Sequence, residues 1–231
     1  MYDQLQRLFT PDWLTAIGTV GACAIALFLA LFAKRIERWM DHPALSLNAT
    51  VRRPDAEKTS RWFSLVSGAT LDAGEAWFFR LTITNNGTAP AREVQVFLKT
   101  VERVSDGTVS LVDRFSPMNL KWTHTGKPTR DVLLTEIPVF CDFIHVSDPK
   151  HRHVTGEVLS SVPPEAGVLC LDVEVATSGR GHLLEPGIHR FHLILAAENF
   201  DPETYTVEVQ YSGLWSEDQD QMFAAIKMKK L

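Results

Sequence analysis

Cysteine is scarce in this chain: three in 231 residues, an odd number. Such a count cannot build the disulfide framework of a small secreted protein. Cys23 lies in an apolar run, which leaves only Cys141 and Cys170 for the rest of the chain. The usual sequence marks of catalysis are missing too. There is no glycine-rich phosphate loop, no HExxH pair, no nucleophile elbow and no paired CxxC. Cys141, His145, His151 and His153 are zinc-ligand residue types, but the spacing C-x3-H-x5-H-x-H matches no zinc pattern. Cys141 beside Asp142, with His145 nearby, has the residue types of a thiol nucleophile. Between Phe140 and Phe143, however, it reads as a buried thiol. The expectation is no metal, no cofactor and no enzymatic activity. Excess positive charge is also lacking. The net charge is −5, so any site for a polyanion must be local.

Long hydrophobic runs are absent with one exception. Residues 13–33, WLTAIGTVGACAIALFLALFA, hold no charge and are followed by Lys34, Arg35 and Arg38. As a helix this segment spans roughly 31 Å, enough to cross a hydrocarbon core. A signal peptide would need a basic start and a shorter apolar region, and neither is present. Thr10 suits a helix cap, Pro11 the first position and Asp12 the positive end. Trp13 and Trp39 suit the two interfaces. Tyr2, Leu5, Leu8 and Phe9 suggest a short interfacial segment over 1–12. Membrane lipid is thus the first expected partner.

Around the helix, Gly18, Ala22, Ala26 and Ala30 share one face with Thr15, Thr19 and Cys23. Small residues every fourth position let helix backbones approach in lipid, which points to a homo-oligomer. Thr15, Thr19 and Cys23 then have the position to line a narrow pore. The threonines can equally bond their own backbone carbonyls. Basic residues crowd the C-terminal flank, so the positive-inside rule predicts a cytoplasmic C-terminal domain. The sequons at Asn48 and Asn86 then read as turn residues.

Residues 44–213 hold no long helical period. They hold short alternating runs, such as ALSLNATVR (44–52), AWFFRLTIT (76–84), AREVQVFLKTVERV (91–104), GVLCLDVEV (167–175) and IHRFHLILAAEN (188–199). Turn residues separate them, and the pattern predicts a mainly β fold, a β-sandwich. After it, Ser216 and Gln219 form a capping box, and Lys227, Lys229 and Lys230 suit a helix end, so a C-terminal helix is expected within 214–231. Residues 34–43 read as a juxtamembrane linker.

The segment 114–153 fits the alternation poorly. It concentrates six Lys/Arg and four of the eight histidines, whereas 154–231 holds twelve acidic residues against five basic. It reads as an irregular basic and aromatic insertion. Lys121, His124, Lys127 and Arg130 surround Trp122, and Lys150 and Arg152 follow. Charge on phosphate with rings stacked on bases is how single-stranded nucleic acid is held. The same residues also fit a core tryptophan under a solvated face.

The run LTITNNGTAPAREVQVFL (81–98) resembles paired strands B and C of bacterial immunoglobulin-like domains. Together with the membrane helix, PMNLKWTHTG (117–126), FCDFIHVSDP (140–149) and LWSEDQDQMF (214–223), the chain resembles single-pass membrane effectors of bacterial anti-phage defence encoded beside a nucleotidyltransferase, as in the Hailong system. The resemblance implies a homo-oligomer in the inner membrane. It implies a cytoplasmic domain held inactive by a single-stranded DNA oligomer made by the partner nucleotidyltransferase, with membrane disruption on release. Lys121, Trp122, His124 and the nearby basic residues are the implied DNA contacts. Two other readings stand beside an ion-conducting effector: a passive membrane tether carrying an interaction module, and an envelope scaffold of inverted topology.

Overall fold

The computed structural model describes residues 11–64 and 68–231. Thr10 and the expected interfacial residues Tyr2, Leu5, Leu8 and Phe9 lie outside the described residues. The chain forms two units, 1–42 and 43–231.

Among the described residues, the first unit holds one helix, α1 (Pro11–Met40), 30 residues and about 45 Å long. Its segment Thr15–Ala33 is long and apolar enough to cross a membrane, and none of it is buried. A side chain added at Gly18 would meet no described atom within 4 Å. The helix does not end where the apolar run ends. Residues 34–40, expected as linker, continue it, because KRIERWM contains neither glycine nor proline. Pro43 then disfavours helix at His42. Thr19 Oγ1 donates to the Thr15 carbonyl at 2.9 Å, so its proton is committed to the helix backbone.

The second unit holds two antiparallel sheets. The first contains β1 (Leu45–Ala49), β2 (Ala56–Ser64), β3 (Thr70–Asn85), β7 (Lys121–Trp122), β9 (Val139–Ser147), β10 (Leu169–Leu171) and β11 (Leu183–Leu184). The second contains β4 (Ala91–Ser105), β5 (Thr108–Leu111), β6 (Met118–Asn119), β8 (Thr129–Leu133), β12 (Gly187–Ala197), β13 (Phe200–Tyr211) and β14 (Ile226–Lys230). Alternation sends Trp77, Phe79, Leu81 and Ile83 of β3 into the same core as Val94, Val96 and Leu98 of β4. Phe143 meets Phe191 edge to face, with ring centres 4.9 Å apart, joining β9 to β12. Each such buried side chain contributes on the order of 1.5–3 kcal/mol.

The NNG turn crosses between the sheets, so β3 and β4 do not pair with each other as the sequence suggested. Buried Asn85 holds that crossing. Its Oδ1 accepts from the Ala44 and Gly87 amides, and its Nδ2 donates to the Ala89 and Leu133 carbonyls. Asn86 lies in this turn as expected, but Asn48 is an exposed position inside β1.

Two further expectations are corrected. The segment 114–153 is not an irregular insertion: it supplies four strands, and β9 is an interior strand of the first sheet. The excursion outside the regular strands instead follows β9 and carries α2 (Arg152–Thr155), β10 and β11 before β12. The C-terminal helix is shorter than expected. α3 spans Gln219–Ala225, with Asp218 rather than Ser216 as its cap, accepting from the Gln221 amide at 2.9 Å. The chain then becomes β14, because Ile226 and Met228 turn inward at a period of two. Lys227, Lys229 and Lys230 therefore line an edge strand, where lysine discourages pairing with another chain, rather than a helix end.

Candidate functional site

Two places in the β unit concentrate polar chemistry. The first is the basic hairpin. The turn after β7 closes with the Thr125 and Gly126 amides on the Trp122 carbonyl, and with the Trp122 amide on the Lys127 carbonyl. His124 occupies it at φ 70° and is exposed. Lys127, Thr125, Thr129, Arg130, Asp131 and Val132 line a cavity of about 230 Å³. Arg130 is half-buried, donates to the Val132 carbonyl and stands 5.9 Å from the Trp122 ring centre.

Several sequence-predicted ligand residues do not belong to this surface. Trp122 is 1% exposed, and its Nε1 donates to the Val94 carbonyl at 3.2 Å. It is a core residue and offers no face for a base to stack on. Lys121 is half-buried on β7, opposite Asp142. Arg152 is buried, donating to the Ala166 and Val162 carbonyls, and so holds the excursion after β9 in shape. Lys150 is exposed but lines a different cavity, about 660 Å³, with Pro149, Pro164 and Trp215. The two basic clusters do not merge. Thr123 bonds Phe140 near the start of β9, whereas Lys150 follows its end. The intervening strand is about 25 Å long.

The second place is buried and was not legible in the sequence. β9 carries an extra residue at Phe143, since Phe79 pairs with Ile144 and Arg80 with Asp142. The bulge reverses the parity of the strand. Val139, Cys141, Ile144 and Val146 lie opposite the inward residues of β3, while Asp142 and His145 take the other face. Cys141 and His145 are thus on opposite faces, which rules out the thiol–imidazole pair that their spacing suggests. Cys141 instead donates to the Lys121 carbonyl, and burial, with the charges of Asp142 and Asp172 adding to it, holds its pKa well above the ordinary value.

On that other face His145 lies directly across from Cys170 of β10. His145 Nδ1 donates to both oxygens of Asp172 at 3.0 Å, and Nε2 donates to Glu157 Oε1 at 3.0 Å. Arg61 reaches in from β2, donating to Glu157 Oε1 and Ser147 Oγ at 2.7 Å each. Phe78 stacks on the imidazole at 5.1 Å. Burial, the largest single influence, opposes a charge on His145, yet the charge and hydrogen bond of Asp172, together with those of Cys170, outweigh it and the imidazole pKa lies well above its ordinary value. Burial would raise Glu157, but the His145 hydrogen bond and charge, with Arg61, hold it well below the carboxylate range. Burial pushes the Cys170 thiol up to about 11, against the pull of His145, so it stays protonated and is not a nucleophile near neutral pH.

His145, Glu157 and Cys170 bring their ligand atoms within 4.8 Å of one another, a set that could hold a metal. Of these, the sequence reading had weighed only His145 as a ligand, and with other partners. Arg61, Ser147, Glu157, Cys170 and Asp172 come from separate segments, which no linear spacing reveals. One local signal exists: in LCLD (169–172) the alternation puts Cys170 and Asp172 on one face.

The chain matches no protein-family model, no curated protein and no solved structure.

Proposed function

We propose that the protein is a homo-oligomeric effector of the bacterial inner membrane, acting in anti-phage defence. In this reading its cytoplasmic β domain senses a single-stranded nucleic acid, and that ligand controls the permeability of the assembled helices. The β domain is read as immunoglobulin-like, on the crossing of the NNG turn from one sheet to the other. The ligand site is the hairpin, reduced to Lys127, Arg130 and His124. The observation that carries the reading is the cavity of about 230 Å³ lined by Lys127, Arg130, Thr125 and Thr129, together with Asp131 and Val132. Cations beside hydroxyl donors are groups that hold phosphate oxygens. The open small-residue face of α1, with Gly18 unobstructed, is consistent with a partner helix from a second copy.

The test uses full-length protein in nanodiscs and a fluorescent oligothymidylate, with ion flux measured in parallel in liposomes. Replacing Lys127 and Arg130 together by Ala should weaken binding at least tenfold at low salt. The salt slope should fall by about 1.4, for two lost contacts to a single strand. Flux that changes with oligonucleotide supports the effector. Binding that survives the double substitution would move the ligand elsewhere, and liposomes that never leak would make the chain a passive tether.

A further inference from the structure

We propose that His145, Glu157 and Cys170 form a binding site for a zinc-class divalent cation, oriented by Asp172 and plugged by the Arg61 guanidinium when the metal is absent. The residue types come first. A thiol, an imidazole and a carboxylate together select a borderline-soft ion over calcium or magnesium, which take oxygen alone. Three protein ligands with one position left open is a zinc arrangement.

The geometry agrees with the residue types. All three ligand atoms lie within 4.8 Å of one another, and the His145–Glu157 side of the triangle is already 3.0 Å. Around a tetrahedral ion such atoms stand roughly 3.3–3.8 Å apart, given metal–ligand lengths of about 2.0–2.3 Å. The widest side therefore has to close by no more than about 1 Å and the His145–Glu157 side to open by about 0.3 Å, within reach of side-chain rotations. A metal-binding histidine donates its other ring N–H to a carboxylate, which fixes the ring and the tautomer. Asp172 does this at His145 Nδ1 and leaves Nε2 facing the cluster. Glu157, 7% exposed, keeps its second oxygen Oε2 buried with no hydrogen-bond partner among the described residues. A buried carboxylate oxygen without a partner is costly in a purely ionic network and is accounted for if that oxygen serves a cation.

Arg61 marks where the ion would sit. Its Nη1 is 2.7 Å from Glu157 Oε1, 2.7 Å from Ser147 Oγ and 3.2 Å from His145 Nε2. One nitrogen thus stands beside two of the three ligand residues, Glu157 and His145, as a cationic substitute. Arg61 also has a way out. It sits at the irregularity between Ser60 and Trp62 in β2, a strand that among the described residues pairs only with β3. Its side chain is 18% exposed, and Trp62 beside it is 61% exposed. Swinging outward would exchange Arg61 for the metal without disturbing β9 or β10.

The experiment uses full-length protein in detergent, stripped with chelator and dialysed, then titrated with Co²⁺ alone. Zn²⁺ content is counted separately by elemental analysis. The expected result is one ion per chain and a thiolate-to-cobalt charge-transfer band. Cys170→Ser should remove the band and weaken binding at least tenfold. Cys170→Ala, a small change beside Leu159, Val162 and Leu183, should do the same while near-ultraviolet circular dichroism shows the fold intact. Arg61→Ala should tighten binding severalfold, since it removes the competing cation. Sub-stoichiometric uptake would overturn the site, as would a band that survives both Cys170 substitutions. Weaker binding in Arg61→Ala would show that Arg61 organises the cluster rather than plugging it, and would overturn the exchange.

Discussion

Trp122 and Val94 tie the two sheets together: the indole N–H of one meets the carbonyl of the other at 3.2 Å. The bond joins β7 of the first sheet to β4 of the second across the core. Trp122→Ala should cost about 3–5 kcal/mol in urea denaturation of the full chain, through cavity formation. Trp122→Phe keeps much of the packing, and the orphaned carbonyl should cost about 1–3 kcal/mol. If Trp122→Ala left stability unchanged and weakened oligonucleotide binding instead, the ring would be a ligand surface after all.

A side chain at Gly181 would overlap the Arg114 carbonyl oxygen and stand 2.9 Å from Phe115 Cα. Both neighbours are backbone, which cannot rotate aside. Gly181→Ala should therefore destabilise by about 1–3 kcal/mol. Gly179, two residues earlier, faces open space, and Gly179→Ala should stay within about 0.5 kcal/mol of the parent. Equal midpoints for the two variants would contradict the close approach of the turn at Arg114 to this loop.

In chelator, His145 and Glu157 set opposite pH edges. Glu157 is depressed in the fold, so its contribution is present above its ordinary value of 4.5 and is lost as pH falls through the folded value. His145 is raised, so its contribution is complete below 6.5 and is lost as pH rises through its folded value. His182 and His189 are lowered by burial and act only on the acid side, below 6.5. The urea midpoint should thus decline from pH 6.5 to 8, a range below the ordinary thiol pKa, and His145→Gln should flatten that decline. A parent protein with no decline would mean that the imidazole is not held charged.

Helix association is tested at the small-residue face. Gly18→Leu with Ala22→Leu should convert the detergent-solubilised oligomer to monomer, read by light scattering, because bulky side chains hold backbones apart. A parent that is already monomeric would remove the oligomer from the proposed function.

Much of the fold was legible because its signals are local. The apolar run located α1, although the helix continues to Met40, past the expected end at 33, and period-two alternation located β1 to β5, β10, β12 and β13 but not β6 to β9 or β11. Val94, Val96 and Leu98 turned inward as their spacing predicts. The C-terminus misled for a physical reason: IKMKK offers lysines to either a helix end or an edge strand. What decided between them is β13, whose Val209 and Tyr211 stand opposite Met228 and Ile226.

The candidate sites divide in the same way. By itself the sequence determined that a helix with a charge-free run at 13–33 precedes a β domain, and that basic residues gather near 121–130, since composition and short periods are properties of neighbours in the chain. Only the tertiary structure decided that Trp122 and Arg152 are buried scaffold and that β9 keeps the two basic clusters apart. It alone brought Arg61, His145, Glu157 and Cys170 together. A single bulged residue, Phe143, reverses which face His145 takes, and strand pairing then sets Cys170 beside it. Register and bulges arise from contacts between distant segments, so no local pattern carries them.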